Sequence, residues 1–451
     1  MVFSSITFLF YFLPIVLIIY NLLKNYRLKN LFLFIASLFF YAWGEPIYVF
    51  LMLFSTLSDF LHGKFIYKYK NNKKISTTLL ITSILINVGL LSFFKYSDFL
   101  INNINSLFSV NIPLLNLALP IGISFYTFQT MSYSIDIYRG KAKPQNNIID
   151  FGTFVTLFPQ LIAGPIVKYT DIEHEMHERT SDYELGIEKF IIGLAKKVLI
   201  ANVIGEMFTT NTTSLIGTWF SIFCFAIQIF FDFSGYSDMA IGLGLMFGFH
   251  FPQNFNYPYI SKSITEFWRR WHMTLGSWFR EYVYIPLGGN RCSLIKQIRN
   301  ICIVWFLTGL WHGASWNFIL WGVYFGAVLL LEKFIISKVL EKLPSIIRHI
   351  YALFIIAIGW SIFAIEDMKS LGIFLKSLFI NNTLIDPDTM FNLGNNVVIL
   401  IIAVIASTPL LQKAWCKLNK IAKNVILILL FLVSISYLVA SSYNPFLYFR
   451  F

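Results

Sequence analysis

The chain has 451 residues, of which 57% are hydrophobic and 13% charged, and a mean hydropathy of +0.67. A soluble globular protein of this size does not need that much apolar surface, and the continuous apolar runs exclude a transmembrane β-barrel, whose strands alternate. The net charge of +12 does not argue for nucleic-acid binding, because the basic residues gather in short loops between apolar runs, as the positive-inside rule expects.

In chain order, the hydropathy predicts membrane spans at roughly 5–23, 30–44, 46–62, 77–95, 115–135, 187–206, 215–233, 299–312, 314–336, 347–365, 394–411 and 424–440. The first run lacks a basic stretch before it and a small-residue cleavage site after it, and reads as a retained span rather than a signal peptide. Basic loops follow the first span (Lys24, Arg27, Lys29), the third (Lys64, Lys68, Lys70, Lys73, Lys74) and the fifth (Arg139, Lys141, Lys143), and another precedes the last (Lys413, Lys417, Lys420, Lys423). With these loops in the cytoplasm, both termini are expected outside. No internal repeat is visible, and the chain reads as one domain, 1–451.

Two segments fit poorly as spans. Residues 150–166 end in Phe158-Pro159-Gln160-Leu161-Ile162-Ala163-Gly164-Pro165, which breaks a helix. Residues 234–256 carry Gly235, Gly242, Gly244 and Gly248, then Pro252. Irregular backbone at membrane depth survives only inside protein or along a watery cavity, so both are expected to be re-entrant or partly inserted segments packed inside the bundle.

Residues 253–291 are denser in polar and aromatic groups. Ser263 with Glu266 three residues on marks a capped helix start. Trp268, Trp271, Leu275 and Trp278 follow at helical spacing, interleaved with Arg269, Arg270, His272 and Arg280. This pattern predicts one amphipathic helix lying among the lipids of the cytoplasmic interface. Its arginines serve either as interfacial anchors or as binders of an anionic donor such as the phosphates of coenzyme A, which the planar guanidinium fork suits. Gly288-Gly289-Asn290-Arg291 offers a turn whose amides also face anions.

His312 lies in Trp311-His312-Gly313, between the apolar runs 301–307 and 318–325. An ionisable side chain at bilayer depth is costly and marks a functional candidate, and imidazole suits proton transfer near neutral pH. His250 and His349 read as interfacial residues. His174 and His177 lie in a Glu-rich loop without the His-Glu-x-x-His order of a zinc protease, and no metal site is expected. Cys224, Cys292, Cys302 and Cys416 lack paired spacing. The intramembrane carboxylates Asp136, Asp232 and Asp238 are expected to be paired; Asp232 and Asp238 serve either as structural locks or as groups orienting His272 or an arginine. The aromatic C-terminal tail is either an interfacial anchor or carries Tyr448 as an acyl relay.

Several ordered pieces together resemble the membrane-bound O-acyltransferase superfamily, and within it the bacterial branch that includes the alginate O-acetyltransferase membrane subunit. They are Leu157–Tyr169, Phe231–Ala240, Phe255–Ile260, Glu266–His272, Tyr284–Arg291 and Thr308–Gly313. The resemblance is strong over residues 115–330 and rests on hydropathy in the flanks. It implies an all-α polytopic protein of the cytoplasmic membrane, a helical bundle around a funnel or tunnel. It places the catalytic histidine at His312 and a second polar site position at His272. Acetyl-CoA is the implied acyl donor, entering from the cytoplasm, with no bound cofactor. The implied acceptor is an extracytoplasmic polysaccharide or peptidoglycan, reached with a separate periplasmic or extracellular transferase partner. The alternatives are D-alanyl transfer to teichoic acid from a carrier-protein thioester, and a polysaccharide transporter, which predicts repeats.

Overall fold

The computed structural model describes residues 1–162, 164–441 and 447. Every regular element among them is helical, the arrangement lipid demands because a helix satisfies its own backbone. The helices are α1 (Phe8–Leu22), α2 (Tyr26–Ala42), α3 (Tyr48–Lys68), α4 (Lys73–Phe108), α5 (Ile123–Tyr138), α6 (Ile148–Thr156), α7 (Phe158–Leu161), α8 (Tyr183–Ala195) and α9 (Leu215–Phe247). They continue with α10 (Ile264–Arg270), α11 (Met273–Phe279) and α12 (Leu294–His312), then α13 (Trp316–Lys342). The last four are α14 (Ser345–Ala364), α15 (Met368–Ser377), α16 (Pro387–Ala406) and α17 (Lys420–Ala440). Side-chain caps fix many of the starts: Asn25 accepts from the Arg27 amide at 2.8 Å, Asn72 from Ile75 at 3.2 Å and Asn419 from Ala422 at 2.8 Å.

Seven of these helices (α3, α4, α9, α13, α14, α16 and α17) are long and apolar enough to cross a membrane. The other five expected spans fall in α1, α2, α5, α12 and the helical stretch that begins with α8, which are shorter or more polar. Outward-facing apolar side chains such as Phe50, Phe54 and Leu57 on α3, or Ile428 and Leu432 on α17, are exposed, as lipid contact requires.

The chain divides into two compact units, Met1–Phe190 with Tyr236–Pro252, and Ile191–Gly235 with Gln253–Phe451. The first packs Phe3, Phe8, Phe40 and Phe158 in one aromatic cluster, joined by Tyr236 stacked on Phe3 at 4.5 Å. The second is built around Trp271, Trp321, Phe325, Trp360 and Phe363.

Two expectations meet different outcomes. The break at 150–166 is present: α6 ends at Thr156, α7 lasts four residues, and the segment is buried. The irregular backbone expected over 234–256 begins only at Gly248, whose φ is +83°, because α9 runs unbroken to Phe247. The reason is close approach. A Cβ on Gly242 would stand 2.5 Å from the Gly186 carbonyl oxygen, so these glycines let helices touch by their backbones.

Buried charges are partnered. Lys197 Nζ lies 2.6 Å from Asp232 Oδ1 and donates to Asn202 Oδ1 at 2.8 Å. Glu332 on α13 accepts from the amides of Ile264 (2.6 Å) and Thr265 (2.8 Å) and from the Thr265 hydroxyl (2.7 Å). Its negative charge thereby caps the positive end of α10 and ties that short helix to α13. Asp232 is therefore a lock, and Asp238 approaches Lys189 at 4.0 Å in the other unit.

The hairpin α12–α13 places His312 at its tip. It closes on two glycines: a Cβ on Gly309 would stand 2.4 Å from the Phe318 oxygen, and one on Gly322 2.5 Å from the Trp305 oxygen. Gly309→Ala is expected to lower stability by about 1–3 kcal/mol through overpacking. Gly372→Ala on α15, with nothing within 4 Å of the new methyl, should be neutral or stabilising. Thermal unfolding of the two variants in detergent checks the contrast.

Candidate active site

The expected amphipathic helix is in fact two. Ser263 caps α10 as its spacing predicts, its hydroxyl accepting from the Glu266 amide at 3.0 Å. The helix then stops at Arg270: Trp271 is extended, with φ −100° and ψ 129°, and His272 is left-handed, with φ +43° and ψ +55°. Such backbone costs a non-glycine residue on the order of 1–3 kcal/mol and persists where surrounding contacts hold it. Here the contacts come from Asn254: its Oδ1 accepts from the Thr274 hydroxyl (2.8 Å), the Thr274 amide (3.3 Å) and His272 Nδ1 (3.0 Å). The Met273 amide bonds the Asn254 carbonyl at 2.9 Å. Since the Thr274 amide can only donate, the Asn254 atom is the oxygen, and His272 therefore carries its proton on Nδ1. Burial also pushes the His272 imidazole down to about 3, so it stays neutral.

His312 is the last residue of α12 and is buried. Its ring meets Trp321 at 4.9 Å, Trp311 at 5.1 Å and Phe363 at 5.2 Å, all edge to face. Trp311 in turn meets His272 at 5.8 Å, and Phe233 meets His272 at 4.8 Å. The two histidines are thus bridged by one indole.

Both histidines line a cavity of about 1050 Å³ within the second unit. Arg269, Arg280 and Arg291 line it too, and all three are exposed; so do Gly288, Gly289 and Asn290. Gly288 and Gly289 take positive φ, +105° and +56°, which forms the expected turn. Arg270 does not line the cavity. Its guanidinium holds Glu266 at 2.9 Å and the Asn256 carbonyl at 3.1 Å. The site thus combines two imidazoles, an aromatic wall and three cationic side chains around one space, which suits proton transfer beside an anionic ligand.

The remaining expected residues lie elsewhere. His250 bonds Glu175 at 2.7 Å, and His349 bonds the Ser261 carbonyl at 3.1 Å. His174 and His177 are exposed, and among the described residues no group of three or more His, Cys, Asp or Glu side chains gathers to hold a metal. Tyr448 lies outside the described residues, although its neighbour Leu447 donates its amide to Asp232 Oδ2 at 2.9 Å. Sequence reading missed Asn254, which is one of three side-chain amides in Gln253-Asn254-Phe255-Asn256 and is not distinguished from the other two by any local signal.

Residues 39–364 match the model of the membrane-bound O-acyltransferase family. The chain is 40% identical to the probable alginate O-acetylase AlgI of Pseudomonas aeruginosa, over 82% of this chain and 73% of that protein. It is 35% identical to the peptidoglycan O-acetyltransferase of Helicobacter pylori, over 84% and 80%. Similarity to the teichoic acid D-alanyltransferase of Bacillus subtilis, 30% identical, covers 51% of this chain and 63% of that one.

The neutral His272 has a consequence for acid stability. Its folded-state value, about 3, lies below the ordinary 6.5, so the unfolded chain binds a proton that the folded chain refuses. Its contribution is complete above about pH 6.5 and is lost as pH falls toward 3. Wild type is expected to lose thermal stability on acidification between about pH 7 and 5 more steeply than His272→Gln, as differential scanning fluorimetry would read.

Proposed function

Because the chain belongs to the membrane-bound O-acyltransferase family and is a multi-pass membrane enzyme, we propose that it moves acetyl groups from cytoplasmic acetyl-CoA toward an extracytoplasmic polysaccharide. His312 is the proton-handling residue of that reaction. The observation that carries the reading is the single cavity onto which His312, His272 and Arg269, Arg280 and Arg291 all open. An acetyltransferase is favoured over a D-alanyltransferase because the O-acetylating relatives match four-fifths of the chain and the D-alanylating one about half. The transporter alternative falls with the family.

In this mechanism the His312 imidazole takes the proton of the attacking hydroxyl as its oxygen bonds the thioester carbonyl carbon. The carbon–sulfur bond then breaks, and the departing thiolate takes the proton from the imidazolium, which restores the base. Two features of the site favour the transient imidazolium. His312 ends α12, where the helix dipole is negative, and three aromatic rings pack at right angles to its imidazole. Arg269, Arg280 and Arg291 would take the donor's phosphates as charge-assisted bonds. His272, fixed with Nδ1–H toward Asn254, presents Nε2 as an acceptor that orients a hydroxyl.

The route outward is proposed to run through Tyr448. Its phenol would accept the acetyl as an ester, His312 taking the phenolic proton, and then release it to a hydroxyl of a separate extracytoplasmic transferase that acts on the glycan. The bond from the Leu447 amide to Asp232, one residue before Tyr448, supports this reading.

His312→Ala is expected to lower acetyl transfer from labelled acetyl-CoA by about 10²–10⁴-fold while membrane insertion stays normal; full activity would overturn the assignment. Tyr448→Phe should leave thioester binding intact and abolish polymer acetylation in cells. Unchanged acetylation would remove the relay alone.

A further inference from the structure

The first unit buries polar side chains where its spans α3, α4 and α5 meet. Asp59 sits near the middle of α3 and is 0% exposed. Its Oδ1 accepts from Ser83 Oγ at 2.7 Å and from Asn87 Nδ2 at 3.0 Å, and its Oδ2 accepts from Asn87 Nδ2 at 2.8 Å. Ser134 on α5 lies 3.5 Å from Oδ1 and 3.0 Å from Ser83 Oγ. Asn87 Oδ1 in turn accepts from Ser55 at 3.3 Å and Thr130 at 3.1 Å.

A carboxylate at this depth is normally held by a cation, as Lys197 holds Asp232 at 2.6 Å. Among the described residues, Asp59 makes no salt bridge. An uncompensated carboxylate in the centre of a span is costly, whereas an asparagine would fill the same space without a charge.

What distinguishes the Asp59 cage is that two of its partners, Ser83 and Ser134, are hydroxyl rotors that can either donate or accept. The Asn87 amide is fixed, because its Nδ2 also donates to the Ser83 carbonyl at 3.0 Å, and it donates to Asp59 in either state. Turning the Ser83 hydroxyl lets its oxygen receive the O–H of a carboxylic acid at Asp59 Oδ1 while its own proton goes to Ser134 Oγ. A fixed lysine would hold the carboxylate form alone.

We propose that Asp59 is a reversible protonation site inside the membrane-embedded first unit. A proton from water forms an O–H bond on the carboxylate, and the α3–α4–α5 contact passes from a charged to a neutral hydrogen-bond network.

Two titratable groups stand in electrostatic reach: His62, one turn along α3, and Tyr133 on α5. His62 is half-buried, bonding the Ser58 carbonyl at 2.8 Å and the Thr82 hydroxyl at 3.2 Å. Thr82 immediately precedes Ser83, so His62 adjoins the cage through it. The other charged groups on packed elements lie farther off. Lys95 shares the α4 face eight residues beyond Asn87, about 12 Å along the helix. Asp136 lies beyond Ser134 on α5, and Asp150 on α6 is bonded to Asn30. Arg27 and Lys29 belong to the first turn of α2.

The test uses the full chain in lipid nanodiscs. Dicyclohexylcarbodiimide modifies protonated carboxyl groups in apolar surroundings, and peptide mass spectrometry maps where. Modification of Asp59 is expected to rise several-fold as pH is lowered across the neutral range, while Asp232, held by Lys197, stays unmodified as the internal control. Thermal unfolding gives a second reading: wild type should gain stability relative to Asp59→Asn as pH falls. Asp59 unmodified at every pH, with wild-type and Asp59→Asn melting temperatures tracking in parallel, would overturn the proposal. If Asp59→Asn fails to fold, the carbodiimide profile of the wild type decides alone.

Discussion

Three donors converge on one side-chain oxygen, that of Asn254, and the arrangement of the second unit's site depends on it. The Thr274 amide and hydroxyl and the His272 ring hold that oxygen together. They offset the strain of the left-handed backbone at His272 and stop α10 from continuing into α11. In a single straight helix Arg269 and Arg280, eleven residues apart, would stand about 16 Å from each other along the axis. The break lets α11 and the turn at Gly288 and Gly289 close around the same cavity as the tip of α12. The same contact sets which imidazole nitrogen carries the proton.

Around this centre the fold holds buried carboxylates with partners inside the protein, as membrane depth demands. The two units meet that demand in different ways. In the second, Lys197 neutralises Asp232 and Glu332 caps α10. In the first, hydroxyls and an amide surround Asp59. Glycine replaces bulk wherever backbones must touch, as at Gly309 and Gly322 behind His312. Packing and capping thus position a buried histidine that the aromatic shell isolates from lipid.

Much of the architecture was legible in the sequence because hydropathy and capping are local signals. Ser263 with Glu266, the Phe158–Pro165 break and the seven longest apolar helices could be read directly. Three features could not. The φ of His272 is imposed by Asn254, eighteen residues upstream, and nothing in Trp-His-Met announces it. Glycines in α9 look like helix breakers in isolation and become packing notches only against a partner helix. Lys197 and Glu332 pair with residues far along the chain. Arg270 was separable from Arg269 in principle, since Glu266 stands four residues before it and such pairs face each other on a helix.

The central claim is that acyl transfer takes place in the cavity where His312 meets the arginine rim. A structure of the full protein with a non-hydrolysable thioether analogue of acetyl-CoA tests it most directly. The account predicts the acyl carbonyl beside the His312 ring and the phosphates on Arg269, Arg280 and Arg291. An analogue bound with its acyl end away from His312, and that cavity empty, would contradict it.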